Sequence, residues 1–101
     1  MPQRITGHTE LIGLIATPIR HSKSPMMHNT AFEALGLDYA YLAFDFQPDR
    51  LENAVKGLKA LGAKGWNVSM PYKTDIIPLL DEISEVSRLC ESVNTVINRD
   101  G

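Results

Sequence analysis

The sequence predicts an α/β domain: a three-layer α/β/α sandwich around a mostly parallel (mixed) sheet. Two observations carry that expectation. Strand-like and helix-like segments alternate along the 101 residues in the order βαβαβαβ, and helices between consecutive strands are the crossovers that a parallel sheet needs. The first strand, Leu11-Ile12-Gly13-Leu14-Ile15-Ala16, is a continuous apolar run, as expected of a strand covered on both faces. Composition agrees, because 44% hydrophobic and 22% charged residues describe one small globular domain.

The elements follow in order. Thr17-Pro18 ends the first strand, since proline cannot donate to a ladder and restricts the residue before it. A helix should start at Ser24-Pro25, with the Ser24 hydroxyl capping free amides and Pro25 in the first helical position. Met27, Ala31, Ala34 and Leu35 give it an apolar stripe, and Gly36 stops it in a left-handed cap. Tyr39 to Phe46, rich in aromatics, is the second strand. Asp49 with Glu52 three residues on predicts a capping box. Leu51, Ala54, Val55, Leu58 and Leu61 then share one helix face, ended by Gly62. Lys64 to Ser69 is the third strand, and Tyr72 to Leu80 a helix that Pro78 bends or ends. Ser84 caps a last short helix through Cys90, and Ser92 to Asn98 closes the chain as a strand.

Several function classes are disfavoured. Ten Lys plus Arg against twelve Asp plus Glu leave a net charge of -2, which offers no broad attraction for nucleic acid or an anionic membrane. No apolar run approaches the length of a bilayer span. The lone Cys90 excludes an internal disulfide and a multi-cysteine zinc site, and His8, His21 and His28 have no metal-ligand spacing. Positions 3 to 10 are polar apart from Ile5 and Gly7 where a signal peptide would be apolar, so the expected compartment is the cytoplasm. The seven glycines never take the spacing of the dinucleotide fingerprint. Gly57 and Gly62 approach a P-loop, but Lys64 comes one place late and no Ser or Thr follows it. Asn67-Val68-Ser69 fits the glycosylation pattern, an accident in a chain without a secretory signal.

What remains is polar and clustered. In open α/β sheets ligands bind beyond the carboxyl ends of the strands. Three clusters fall at such ends: His21-Ser22-Lys23-Ser24, Asn67-Val68-Ser69-Met70-Pro71-Tyr72-Lys73, and Asn94-Thr95 within the final strand. Each residue alone has a plain structural use, Ser24 as a helix cap and Lys73 as a surface lysine. Together they would bring hydroxyls, amides and one lysine, Lys73, to one face with hardly any carboxylate. That inventory suits a neutral polyol bearing a carboxylate.

At these residues the chain resembles the N-terminal substrate-binding domain of the shikimate/quinate dehydrogenase family. The likeness lies in Pro18-Ile19-Arg20-His21-Ser22-Lys23-Ser24-Pro25 with His28-Asn29, in Asn67 to Lys73, and in Val93-Asn94-Thr95. It implies that Ser22 and Ser24 bind the substrate carboxylate and that Ser69, where many members carry threonine, reaches a ring hydroxyl. Asn67 and Asn94 match substrate-binding amides, Tyr41 a tyrosine near the substrate in some members, and Glu85 a position near the cofactor. Lys73 matches the acid/base lysine, whose ordinary pKa of about 10.4 burial or a nearby cation would have to lower. His21 is the competing base, but nothing in the sequence pairs it with a carboxylate.

The implied reaction is reversible reduction of 3-dehydroshikimate to shikimate with NADP or NAD, a step of aromatic amino-acid biosynthesis. On that resemblance residues 1–101 are the substrate-binding domain. The nucleotide-binding domain and a catalytic aspartate in an Asn-Thr-Asp segment lie beyond Gly101, so these residues alone should be inactive. Glu91-Ser92 replaces the usual Gly-Ala. Ser69-Met70 looks like quinate-accepting members and Asn67 like strict shikimate enzymes, which leaves substrate preference open. The cofactor and the oligomeric state, a homodimer included, are open too. The rival expectation is a domain that binds a small ligand without chemistry; the coding sequence after Gly101 separates the two.

Overall fold

The computed structural model describes residues 5–99. Its four strands are β1 (Glu10–Ala16), β2 (Tyr39–Asp45), β3 (Gly65–Val68) and β4 (Thr95–Ile97), in the spatial order β2-β1-β3-β4. The helices are α1 (Ser24–Leu35), α2 (Leu51–Ala60), α3 (Tyr72–Asp75) and α4 (Glu85–Cys90), with 3-10 turns at Pro48–Arg50 and Ile77–Leu79. β1 pairs in parallel with β2 and β3, and β4 runs antiparallel to β3. The sheet is therefore mixed, as expected.

The chain moves from β1 outward to β2, then back across β1 to β3. Right-handed crossovers taken in opposite directions put their helices on opposite faces of the sheet. The contacts agree. On one face Ile15, Trp66 and Val68 form the main core with Leu51, Val55 and Leu58 of α2. On the other, Tyr41 stacks on His28 of α1 with ring centroids 4.1 Å apart. Alternation along each strand produces this split: Ile15 and Leu14 look to opposite sides, and both are buried. The apolar run of β1 thus has the reason inferred from it.

Three local expectations are corrected. Ser24 does not cap α1; Lys23 holds the cap position without a side-chain bond, and Ser22 Oγ accepts from the Ser24 N–H at 3.1 Å. The stripe of Met27, Ala31, Ala34 and Leu35 is exposed. The Asn29 carboxamide sets the helix's rotation by bonding both the N–H and the carbonyl of Tyr41 (2.8 and 2.9 Å). β2 is an edge strand, so Asn29 satisfies backbone groups that no neighbouring strand can reach. The capping box at Asp49 and Glu52 does not form, because the 3-10 turn precedes α2 and Arg50 occupies its cap. Glu52 pairs instead with Lys56 one turn on at 3.1 Å. Leu61 lies past the end of α2 and is 81% exposed, while Leu51, Val55 and Leu58 are buried as the helical spacing requires.

Other signals hold. Gly36 closes α1 with φ 68°, and the Leu37 N–H reaches Phe32 O at 2.9 Å. Ser84 caps α4 by accepting from the Ser87 N–H at 3.1 Å. The 72–80 helix breaks just before Pro78 into α3 and a 3-10 turn. The last strand is shorter than expected, and Asn94 precedes it rather than lying within it.

Candidate functional site at the edge of the sheet

Strand order reverses at β1, which makes the carboxyl ends of β1 and β3 the switch point where open α/β sheets bind ligands. β4 is antiparallel, so its amino end lies at this same edge, with Thr95 opposite Asn67. Backbone hydrogen bonds join the end of β1, the segment after β3 and the segment before β4 here, and His21–Ser24 reaches this edge through the loop from Thr17. The Ser69 N–H donates to Ile15 O (3.0 Å), the Thr17 N–H to Met70 O (3.2 Å), the Val68 N–H to Asn94 O (2.7 Å) and the Val93 N–H to Lys73 O (2.8 Å).

The loop carrying the serines is tethered from β2. Asp45 accepts from the Thr17 hydroxyl at 2.6 Å and from the Ile19 N–H at 3.0 Å. The Thr17 bond first, then the Ile19 bond, holds its carboxyl below the ordinary carboxylate range, helped by Arg20. Ser22 and Ser24 follow, both half-buried.

Lys73 sits on a short, well-anchored helix. Its neighbour Tyr72 is fully buried, stacks on Phe46 with centroids 4.9 Å apart and donates its hydroxyl to Phe46 O. Burial, with Asp45 and Asp49 nearby, pushes the Tyr72 phenol up, so it stays a donor. Thr74 Oγ1 ties the other side to Glu91 O at 2.8 Å. A four-residue helix has too few internal bonds to hold itself, and these anchors supply what it lacks. Lys73 is half-buried, and its ammonium has no ion-pair or hydrogen-bond partner among the described residues.

Asn67 and Ser69 lie on and just after β3, both half-buried, and Asn94 is exposed. Asn67 accepts from the Tyr41 hydroxyl at 2.8 Å and donates to Thr95 Oγ1 at 3.1 Å. Tyr41 itself is 1% exposed, and burial pushes its phenol up. Glu85 opens α4, exposed, and no hydrogen bond joins it to the other candidates. The sequence reading missed Asp45, Thr95 as an Asn67 partner, and the edge-sealing work of Asn29. An aspartate closing a strand opposite a Thr-Pro loop was the one signal available for the first.

Two grooves flank the sheet. A groove of about 700 Å³ runs along β4 beside Asp81, Ser84 and Ser87, with the buried Trp66, whose indole N–H has no acceptor among the described residues, in its wall. A smaller one of about 350 Å³ is lined by Arg20 and residues 43–46. Neither is lined by Ser22, Ser24, Lys73 or Asn94, although Val93 and Thr95 line the larger one. Chemistry argues for the edge over the larger groove, because the backbone there joins the segments that carry Asn67, Ser69, Lys73 and Asn94 to the strand end that leads to Ser22 and Ser24.

The family model for the shikimate dehydrogenase substrate binding domain matches residues 14–96. The chain belongs to that family. The shikimate dehydrogenase (NADP(+)) of Streptococcus uberis is 62% identical over 101 residues, all of this chain and 34% of the relative. A Listeria monocytogenes shikimate 5-dehydrogenase, solved with shikimate and NAD, superposes with a TM-score of 0.95 at 59% identity, over 99% of this chain and 35% of that one. A 5-ketofructose reductase from Gluconobacter superposes with a TM-score of 0.91 at 34% identity, over 95% of this chain and 35% of that one. The chain spans about a third of the length of the curated relatives it matches. Solved proteins named for different substrates share this fold, so the architecture alone does not choose the ligand.

The described residues do not fit a dinucleotide. The two glycines with left-handed φ, Gly36 and Gly62, follow helices, where a phosphate-binding turn would lead from a strand into one. No group of three or more His, Cys, Asp or Glu among the described residues could hold a metal ion. No helix there is long and apolar enough to cross a membrane.

Proposed function

We propose that this chain is the substrate-binding domain of a shikimate dehydrogenase, which reversibly reduces 3-dehydroshikimate to shikimate with NADP(H) or NAD(H). One observation carries the reading. The end of β1 that leads to Ser22 and Ser24, the segment from Asn67 to Lys73 and the Val93-Asn94 segment are joined by backbone hydrogen bonds at the switch point of the sheet, and Lys73 has no partner among the described residues. The family membership and the relative solved with shikimate and NAD support it.

The roles divide by chemistry. Ser22 and Ser24 hold the substrate carboxylate through their hydroxyls, while Asn67, Ser69 and Asn94 meet ring hydroxyls. Lys73 Nζ delivers a proton to the carbonyl oxygen during reduction and recovers it from the hydroxyl during oxidation. The described residues form no dinucleotide cradle, so nucleotide binding is assigned to a second domain outside residues 1–101, together with the aspartate that partners Lys73. Glu85 would approach that nucleotide. The free, exposed Cys90 suits a reducing cytoplasm.

The test is steady-state kinetics of the full-length protein on shikimate and quinate with each cofactor. Lys73→Ala should lower kcat by about 10²–10⁴ with a modest KM effect; wild-type turnover would remove Lys73 from the mechanism. Replacing Ser22 and Ser24 together by alanine should mainly raise KM. An unchanged KM contradicts the carboxylate role.

A further inference from the structure

The loop that carries the serines, residues 17–23, belongs to no strand or helix. Between Pro18 and Ser22, its hydrogen bonds to another strand, among the described residues, all end on Asp45 at the close of β2. Asp45 places one oxygen on each side of Pro18. Oδ1 accepts from the Thr17 hydroxyl at 2.6 Å, and Oδ2 accepts from the Ile19 N–H at 3.0 Å. An ionised carboxylate has no proton to give, so both bonds run in one direction.

From Ile19 the restraint continues along the backbone. The Ile19 carbonyl accepts from the Ser22 N–H at 2.9 Å, which closes a turn. Ser22 Oγ then accepts from the Ser24 N–H at 3.1 Å, a bond that fixes the oxygen and leaves its proton uncommitted. No hydrogen bond among the described residues uses the Ser24 hydroxyl either. A loop that its ligand must order binds that ligand more weakly than one held in place beforehand. We propose that Asp45 is a positioning residue for the substrate carboxylate, holding the backbone of Thr17 to Ile19 so that the Ser22 and Ser24 hydroxyls are aimed before the substrate arrives. Its part is indirect, because both its oxygens are already bonded and its charge would repel a second carboxylate. Arg20 offsets that charge. The proposal rests on the reading above that the two serines bind the carboxylate.

In the full-length protein Asp45→Ala should raise KM for shikimate by about 5- to 20-fold with kcat within about twofold. Thr17→Val keeps the shape and removes one of the two bonds, so it should raise KM by a smaller factor, about 2- to 5-fold. The deciding measurement is a double-mutant cycle. With Ser22 and Ser24 already replaced by alanine, adding Asp45→Ala should change KM by less than about twofold. Multiplying effects would overturn the proposal, because Asp45 would then act on KM by another route. Wild-type KM in Asp45→Ala, or in Thr17→Val should the alanine variant not fold, would also overturn it, as would a loss carried by kcat. An unchanged KM on replacing the two serines would instead remove the carboxylate reading, and this proposal with it, which separates that failure from the others.

Discussion

Asp45 shows how one side chain acts beyond its own strand. It ends β2, yet its bonds fall on Thr17 and Ile19, the loop that leads to Ser22 and Ser24. Its native pKa lies below the ordinary value of 3.8. The sign follows: the bonds contribute stability in full above that value, and the contribution fades as pH falls through the lower native value. Asp45→Asn should therefore lower stability at neutral pH and flatten the loss of stability below about pH 4. Denaturant titrations of both proteins across that range would measure it, and parallel acid limbs would refute it. The tether was hardly legible beforehand, because sequence spacing does not reveal which loop lies opposite a strand end. Ser22, Ser24, Asn67, Ser69, Lys73 and Asn94 were legible as polar positions at strand ends, and their family likeness assigned each a role to test.

At the scale of elements, the strong periodic signals survived and the weak ones were overruled by contacts. α2 presents Leu51, Val55 and Leu58 to the core, but its expected face ran one residue too far. Leu58→Ala should cost about 2–5 kcal/mol by transfer and cavity terms, whereas Leu61→Ala should stay within about 0.5 kcal/mol. Comparing their unfolding midpoints tests the helix end directly, and equal losses would place Leu61 in the core. α1 was misphased because Asn29 and Phe32, not a stripe of Met and Leu, meet β2; Phe32 packs edge-on against Tyr39 at 5.4 Å. β4 depends on a close approach. A Cβ on Gly65 would lie 2.6 Å from Val96 O, a backbone atom of the strand that Asn94 precedes and Thr95 opens. Gly65→Ala should destabilise the protein by about 1–3 kcal/mol and raise KM, since moving β4 moves both residues. An unaltered KM would separate β4 from the site.

At the scale of the whole molecule, the order β2-β1-β3-β4 converts three segments distant in sequence into one edge. The order has a cost for autonomy, because the proposed substrate groups lie there without any dinucleotide turn among the described residues. Residues 1–101 alone should leave NADP unreduced in the presence of shikimate, as followed by NADPH absorbance; turnover by them alone would reveal a cofactor site that the fold does not suggest. The sequence by itself determined the alternation of elements, the double burial of β1, the ends at Gly36 and Ser84, and which polar residues cap the strands. These are local matters of torsion, period and turn chemistry, readable within a few residues. Only the tertiary structure decided the phase of α1, the antiparallel run of β4, the tether from Asp45 and the hydrogen bonds from Tyr41 through Asn67 to Thr95. Each depends on partners more than ten residues apart, which are matched by shape and hydrogen-bond direction once the strands have paired, and neither leaves a periodic trace in the chain.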